Sequence, residues 1–213
     1  MTLMEKSKEI VSSEKLQEQR EFQHFCEQVA KTIGGEITAQ RVKRLIWLSN
    51  KGKHIFHGIK RLKYLEGVKK EGIMPFTPEG GQVSYWTSGQ RLFGELKKDG
   101  SLQSYDSTFF HYGHTENNKN NGTTYMAIAL SNAKAINQLS EVEVKDNDYL
   151  QISFSVPREK ISLLQVKVEG DQQEGKYKAA QIAEQEMFKF IEDALIGGYE
   201  LGGEKEREII LNK

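Results

Sequence analysis

The chain has 213 residues, 37% hydrophobic and 28% charged, and its 30 basic residues balance 30 acidic ones to a formal net charge of zero. It is long enough for one domain with a real core, too apolar to be disordered, and has no global field to draw in nucleic acid or an anionic membrane. A single cysteine, Cys26, excludes an internal disulfide and a cysteine-based metal site; with no signal-peptide core and no apolar run near membrane length, a soluble cytoplasmic protein is the expectation.

In chain order, residues 1–11 are polar and are expected to fray. Ser12 or Ser13 caps a helix to about Ile33, with Leu16, Phe22, Phe25, Val29 and Ile33 at mostly helical spacing, and Gly34-Gly35 ends it. Thr38 caps a second helix through Val42, Leu45, Ile46 and Leu48, stopping near Asn50. Residues 1–50 therefore form a helical region packed on a second unit, 51–213. His54-Ile55-Phe56-His57 reads as a short buried strand. Gly58 and a helix over Lys63–Lys70 come after it, closed by Gly72 and led out by Ile73-Met74-Pro75. Gly80-Gly81 marks a turn, and Val83–Thr87, rich in β-branched and aromatic residues, a second strand.

Residues 94–123 read as mostly loop, with Phe109-Phe110 its one apolar spot and 117–122 an exposed polar tract. Tyr125–Leu130 is a third strand or the start of a helix, and Ser131–Ile136 a capped helical turn. Tyr149–Val156 alternates apolar and polar residues as a strand does, and Ile161–Val168 is another. Tyr177–Ile196 is a strong helix, ended by Gly197-Gly198. Gly202-Gly203 makes a further turn, and Glu208–Leu211 is a short strand. Strands mixed with helices of unequal length predict an α+β fold. Neither GxxxxGK[ST] nor GxGxxG occurs, which disfavours a P-loop or Rossmann enzyme. Arg41, Lys43, Arg44, Lys51 and Lys53 form a candidate local basic patch.

The segment IFHGIKRLKYLEGVKKEGIMP carries the most information. A buried strand ends in His57-Gly58, a helix succeeds it, and Gly-Ile-x-Pro closes the block. Tyr85-Trp86-Thr87-Ser88 comes next on a strand. The chain finishes with GGEKEREIIL, where Glu206 and Glu208 precede an apolar strand. In order and spacing these three blocks resemble the ADP-ribosyltransferases of the H-Y-E class, which include poly(ADP-ribose) polymerases and mono-ADP-ribosylating toxins.

The resemblance implies an ADP-ribosyltransferase-like mixed sheet and NAD as co-substrate. Nicotinamide would be released, and ADP-ribose transferred to a macromolecular acceptor, protein or nucleic acid, as by a toxin or effector. Glu208 would be the carboxylate that stabilises the cation-like transition state, and Glu206 would engage the acceptor. His57 would hydrogen-bond the other ribose of the dinucleotide, and Gly58 would let the backbone approach the carboxamide. Tyr85 would stack on the nicotinamide ring, with Trp86 the alternative if the strand register shifts by one, and Ser88 would line the cofactor site. His57 and Glu208 would then meet in one cleft, on adjacent or nearly adjacent strands. A non-catalytic nucleotide- or ADP-ribose-binding module of the same fold is the alternative. His111-x-x-His114, with Asp106 and Glu116 nearby, could in principle hold a transition metal, but its Gly- and Asn-rich surroundings argue against one and no metal is expected. Cys26 lies in an apolar helical stripe and is expected to be buried and inert.

Overall fold

Thr38 caps a helix, as its place ahead of a periodic apolar run predicts. In the computed structural model its hydroxyl oxygen accepts from the Arg41 backbone N–H at 3.3 Å, satisfying one of the first-turn donors that a helix leaves open. The structure describes residues 3–59, 62–75, 82–93, 114–118, 123–139, 149–169, 175–196 and 206–211. The capped helix, α2 (Ala39–Gly52), comes after the long α1 (Leu3–Ile33). It ends on Lys53 in the left-handed conformation, φ 55°, whose backbone N–H returns to the carbonyls of Ser49 and Asn50.

Seven strands form one sheet: β1 (His54–Gly58), β2 (Ser84–Ser88), β3 (His114–Asn118), β4 (Thr123–Asn132), β5 (Tyr149–Ile152), β6 (Ser162–Glu169) and β7 (Glu206–Leu211). Their order is β5-β2-β1-β4-β6-β7, with β3 also on β4. β4 is long enough to serve two neighbours on one side: β1 pairs with 128–132 and β3 with 123–127. Every pairing is antiparallel except β6–β7, which is parallel. A parallel neighbour needs a crossover, and α4 (Gly175–Ile196) lies between the two strands in sequence.

Strand alternation divides the core in two. Phe56, Ile128, Leu130, Leu164 and Val166 face a layer built from α1, α2 and α4, where Phe25, Val29, Leu45, Met187 and Phe188 are buried. Their chain neighbours Ile55, Ala129 and Leu163 face the other way, with Trp86, onto Leu65 and Val68 of α3 (Leu62–Glu71) and onto Ile73 and Val156. The architecture is α+β, and α1 from Phe22 onward and α2 share a core with the sheet. α4 ties this layer together with polar contacts as well. Glu192 accepts two hydrogen bonds from the Arg41 guanidinium, and the Gln185 side chain donates to the Ile33 carbonyl at 3.0 Å, capping the end of α1.

Several elements differ from the sequence expectations. α1 begins at Leu3 rather than Ser12 or Ser13, so residues 3–11 are helical. The 94–123 stretch, expected to be mostly loop, contains β3, a polar strand not anticipated there, which pairs with the N-terminal half of β4. Tyr125–Leu130 belongs to strand β4, which continues to Asn132. β5 stops at Ile152 rather than Val156, and β7 starts two residues before Glu208. Phe109-Phe110, 119–122 and the glycine pairs Gly80-Gly81, Gly197-Gly198 and Gly202-Gly203 lie outside the described residues. Among the described residues no helix is long and apolar enough to cross a membrane.

Candidate functional site

β1 is fixed by two buried neighbours, Ile55 and Phe56, that enter opposite cores. Its pairing with β2 runs Ile55↔Ser88 and Phe56↔Thr87 and then stops, although both strands continue. In the gap that opens, the side chain of His57 takes over. Its Nδ1 lies 2.8 Å from the Tyr85 carbonyl oxygen. A carbonyl can only accept, so Nδ1 carries the proton and a neutral His57 ring keeps its lone pair on Nε2. The imidazole packs against Trp86, ring centroids 5.3 Å apart. Trp86 is itself fully buried and donates from Nε1 to Ser84 Oγ at 3.0 Å. His57 is thus a half-buried, oriented histidine at the point where two central strands part.

The two aromatic candidates on β2 separate by face. Trp86 shares His57's side of the sheet, but its complete burial leaves no ring face for a ligand. It backs His57 and does not present a stacking surface. Ser88 is also fully buried. Tyr85 lies on the opposite face by alternation, 47% exposed, and pairs in register with the exposed Gln151 of β5. Tyr85 therefore meets His57 through its backbone carbonyl alone; contrary to the expectation that it would stack in His57's cleft, its ring stands on the other face of the sheet. Gly58, the last residue of β1, puts no side chain into that gap.

Glu206 and Glu208 lie on β7, opposite Leu163 and Gln165 of β6. His57 stands opposite Ala129 of β4, which stands opposite Leu163. His57 and Glu206 thus occupy one cross-strand row with β4 and β6 between them, and Glu208 lies two residues along. Three strand spacings put the His57 and Glu206 backbones about 14 Å apart. The structure brings the first two sequence blocks together and leaves the third across the sheet, so His57 and Glu208 are not on adjacent strands.

Of the metal candidates, His114 begins β3 opposite Ala127, and Glu116 lies opposite Tyr125. Asp106 and His111 fall outside the described residues, among which no cluster of three or more His, Cys, Asp or Glu could hold a metal. Cys26 is fully buried; desolvation pushes its thiol up to about 11, with Lys43 opposing the rise. It is a protonated, unreactive core residue. Three features have no counterpart in the sequence expectations. His54 is held by the Ser49 carbonyl at 3.3 Å and faces Asn132 Nδ2 at 3.5 Å, and burial lowers its pKa. Arg91 lies 3.7 Å over the Tyr149 ring, and Lys51 Nζ lies 4.7 Å over that of Trp47. The Trp47–Lys51 pair is legible in its i, i+4 helical spacing; the Arg91–Tyr149 and His54–Asn132 contacts join residues far apart in sequence. Compared with protein-family models, with curated proteins and with solved structures, the chain finds no match.

Proposed function

We propose that the gap between β1 and β2 binds NAD and that the protein is an NAD-dependent mono-ADP-ribosyltransferase acting on a macromolecular acceptor. The observation that carries this reading is the His57–Tyr85 hydrogen bond. It joins the two sequence blocks assigned to the dinucleotide at a place where the strands part. In this reading His57 Nε2 accepts from a ribose hydroxyl, Gly58 admits the carboxamide to the backbone, and Tyr85 serves through its backbone carbonyl, which orients His57, its ring standing on the opposite face of the sheet. Trp86 holds His57 from beneath. Glu208 supplies negative charge to the ribose as positive charge develops there, and Glu206 engages the acceptor.

The separation of β1 from β7 favours a second reading, a domain that binds the dinucleotide without cleaving it. Thermal shift and nicotinamide release distinguish the two. Millimolar NAD should raise the melting temperature, since it binds only the folded state. His57→Ala should weaken NAD affinity by roughly fivefold to tenfold, the loss of one hydrogen bond of about 1 kcal/mol. If the protein releases nicotinamide and Glu208→Gln abolishes release without altering the NAD-induced shift, the transferase reading stands. A shift without nicotinamide release selects the binding module, and no shift at all removes both.

A further inference from the structure

α2 has one face that the fold does not use. Val42, Leu45, Ile46 and Ser49 point into the core. Lys43, Arg44, Trp47 and Lys51, spaced i, i+1, i+4 and i+8, lie together on the exposed side. The helix contains no acidic residue. Arg41, the remaining basic side chain within it, is committed to Glu192 on the inner side. Trp47 is 57% exposed, a large apolar ring left in water where packing does not require it.

The C-terminal end of this stripe continues onto the sheet. Asn50 abuts Gly89, at which an added Cβ would collide with Asn50 Oδ1. Two residues beyond Gly89, Arg91 stacks on Tyr149, whose ring is 45% exposed. Tyr149 pairs with Thr87, which pairs with Phe56, so all three lie on the side of the sheet that α2 covers. Two cation–aromatic pairs, Trp47 with Lys51 and Tyr149 with Arg91, therefore flank the Asn50–Gly89 contact. The acidic side chains near α2 lie toward its N-terminal end, where Glu36 and Asp193 act on Arg41 and Glu27 opposes Lys43 at Cys26.

We infer that this stripe is a docking surface for single-stranded nucleic acid. Aromatic faces interleaved with cations serve two features of that polymer together, stacking on bases and pairing with phosphates. Each cation lies over one face of its ring, close enough to pair with the phosphate of a base that stacks on the same aromatic. A duplex would hide its base faces. A membrane surface would need aliphatic residues beside Trp47, and α2's outward face has none. An acidic peptide would match the charge but not use the two rings. The proposal does not rest on the NAD reading, although Tyr149 stands beside Thr87 on the face of β2 that also carries Tyr85.

The test is anisotropy of labelled 12-mers of U and of dT titrated with the full chain, beside a 12-base-pair duplex, a Glu-rich peptide and phosphatidylserine vesicles. Both single strands, or one of them, should bind more tightly than the other three, and the ratio of U to dT says whether RNA or DNA is preferred. With three or four phosphates engaged, log affinity should fall against log salt with a slope of about −2 to −3. Trp47→Ala should weaken binding by about tenfold or more, as should Arg44→Glu with Lys51→Glu. Lys189→Glu, a single reversal of the same kind on α4, should leave it unaltered, and Lys51→Glu alone, matched to it in charge, should weaken it. All these side chains are exposed, and circular dichroism checks that each variant is folded. No single-strand binding in low salt, equal binding by Trp47→Ala, or preference for the peptide or the vesicles would overturn the assignment. An unchanged NAD-induced shift in Trp47→Ala keeps its outcome separate from that of the NAD site.

Discussion

At the residue scale, the two histidines of β1 have different roles. His57 stands at the strand gap, oriented by its Nδ1–H bond to the Tyr85 carbonyl, whereas His54 is half-buried at the end of α2, in contact with Ser49 and Asn132. Desolvation lowers the folded-state pKa of His54 below its ordinary value. Once pH falls through the unfolded value of about 6.5, the unfolded chain takes up a proton that the folded chain refuses, so stability is present above that pH and declines below it. The melting temperature of wild type should therefore drop between pH 7 and pH 5 by more than that of His54→Gln. Equal slopes would mean that His54 is not held neutral. Local sequence does not carry this behaviour. It shows that His54 begins a strand, but not that the strand begins against the last turn of α2.

At the scale of elements, Gly72 is the hinge between α3 and the segment leading to Met74. Its φ of +85° is a conformation L side chains rarely adopt, and an added Cβ would collide with the Val156 carbonyl oxygen, in backbone that cannot yield. Gly72→Ala should cost on the order of 2 kcal/mol or more, read as a lower urea midpoint. A midpoint like that of wild type would mean that this junction is free to rearrange. The glycine's place after an apolar-periodic helix made its role as a terminator readable. Other elements were less readable for physical reasons. β3, with the sequence HTENN, has no apolar alternation, and its existence depends on the open flank of β4. The Tyr85-Trp86 dipeptide announces a strand, and period two says its rings part company. Which ring is buried depends on the pairing of Thr87 with Phe56, a contact between residues distant in sequence that no local pattern encodes.

For the whole molecule, the α+β class followed from the mixture of periodicities, while the distance between the His57 and Glu208 strands depended on sheet order, which periodicity does not specify. What holds the helical layer to itself is also non-local. The Arg41 guanidinium grips Glu192 across 151 positions of sequence, and its charge rests 5.4 Å from the centroid of the Phe188 ring. Glu192→Ala should destabilise the protein by about 2 kcal/mol, and Arg41→Ala by a similar amount. The double variant should cost less than their sum, because both remove one interaction; full additivity in chemical denaturation would mean that the pair contributes nothing as a pair.

That span of sequence also has a meaning in time. The apolar sides of α1 and α2, with Phe25, Val29, Leu45 and Ile46, leave the ribosome early, and the α4 residues that cover them, Met187, Phe188 and Ile191, come about 150 positions later. At roughly 5–20 residues per second of synthesis, the early helices wait about 8–30 s for their cover. During that interval a nascent chain carries a greasy, unsealed surface that the finished protein never shows, so a chaperone that recognises exposed apolar helix faces would meet this protein on the ribosome far more often than after release.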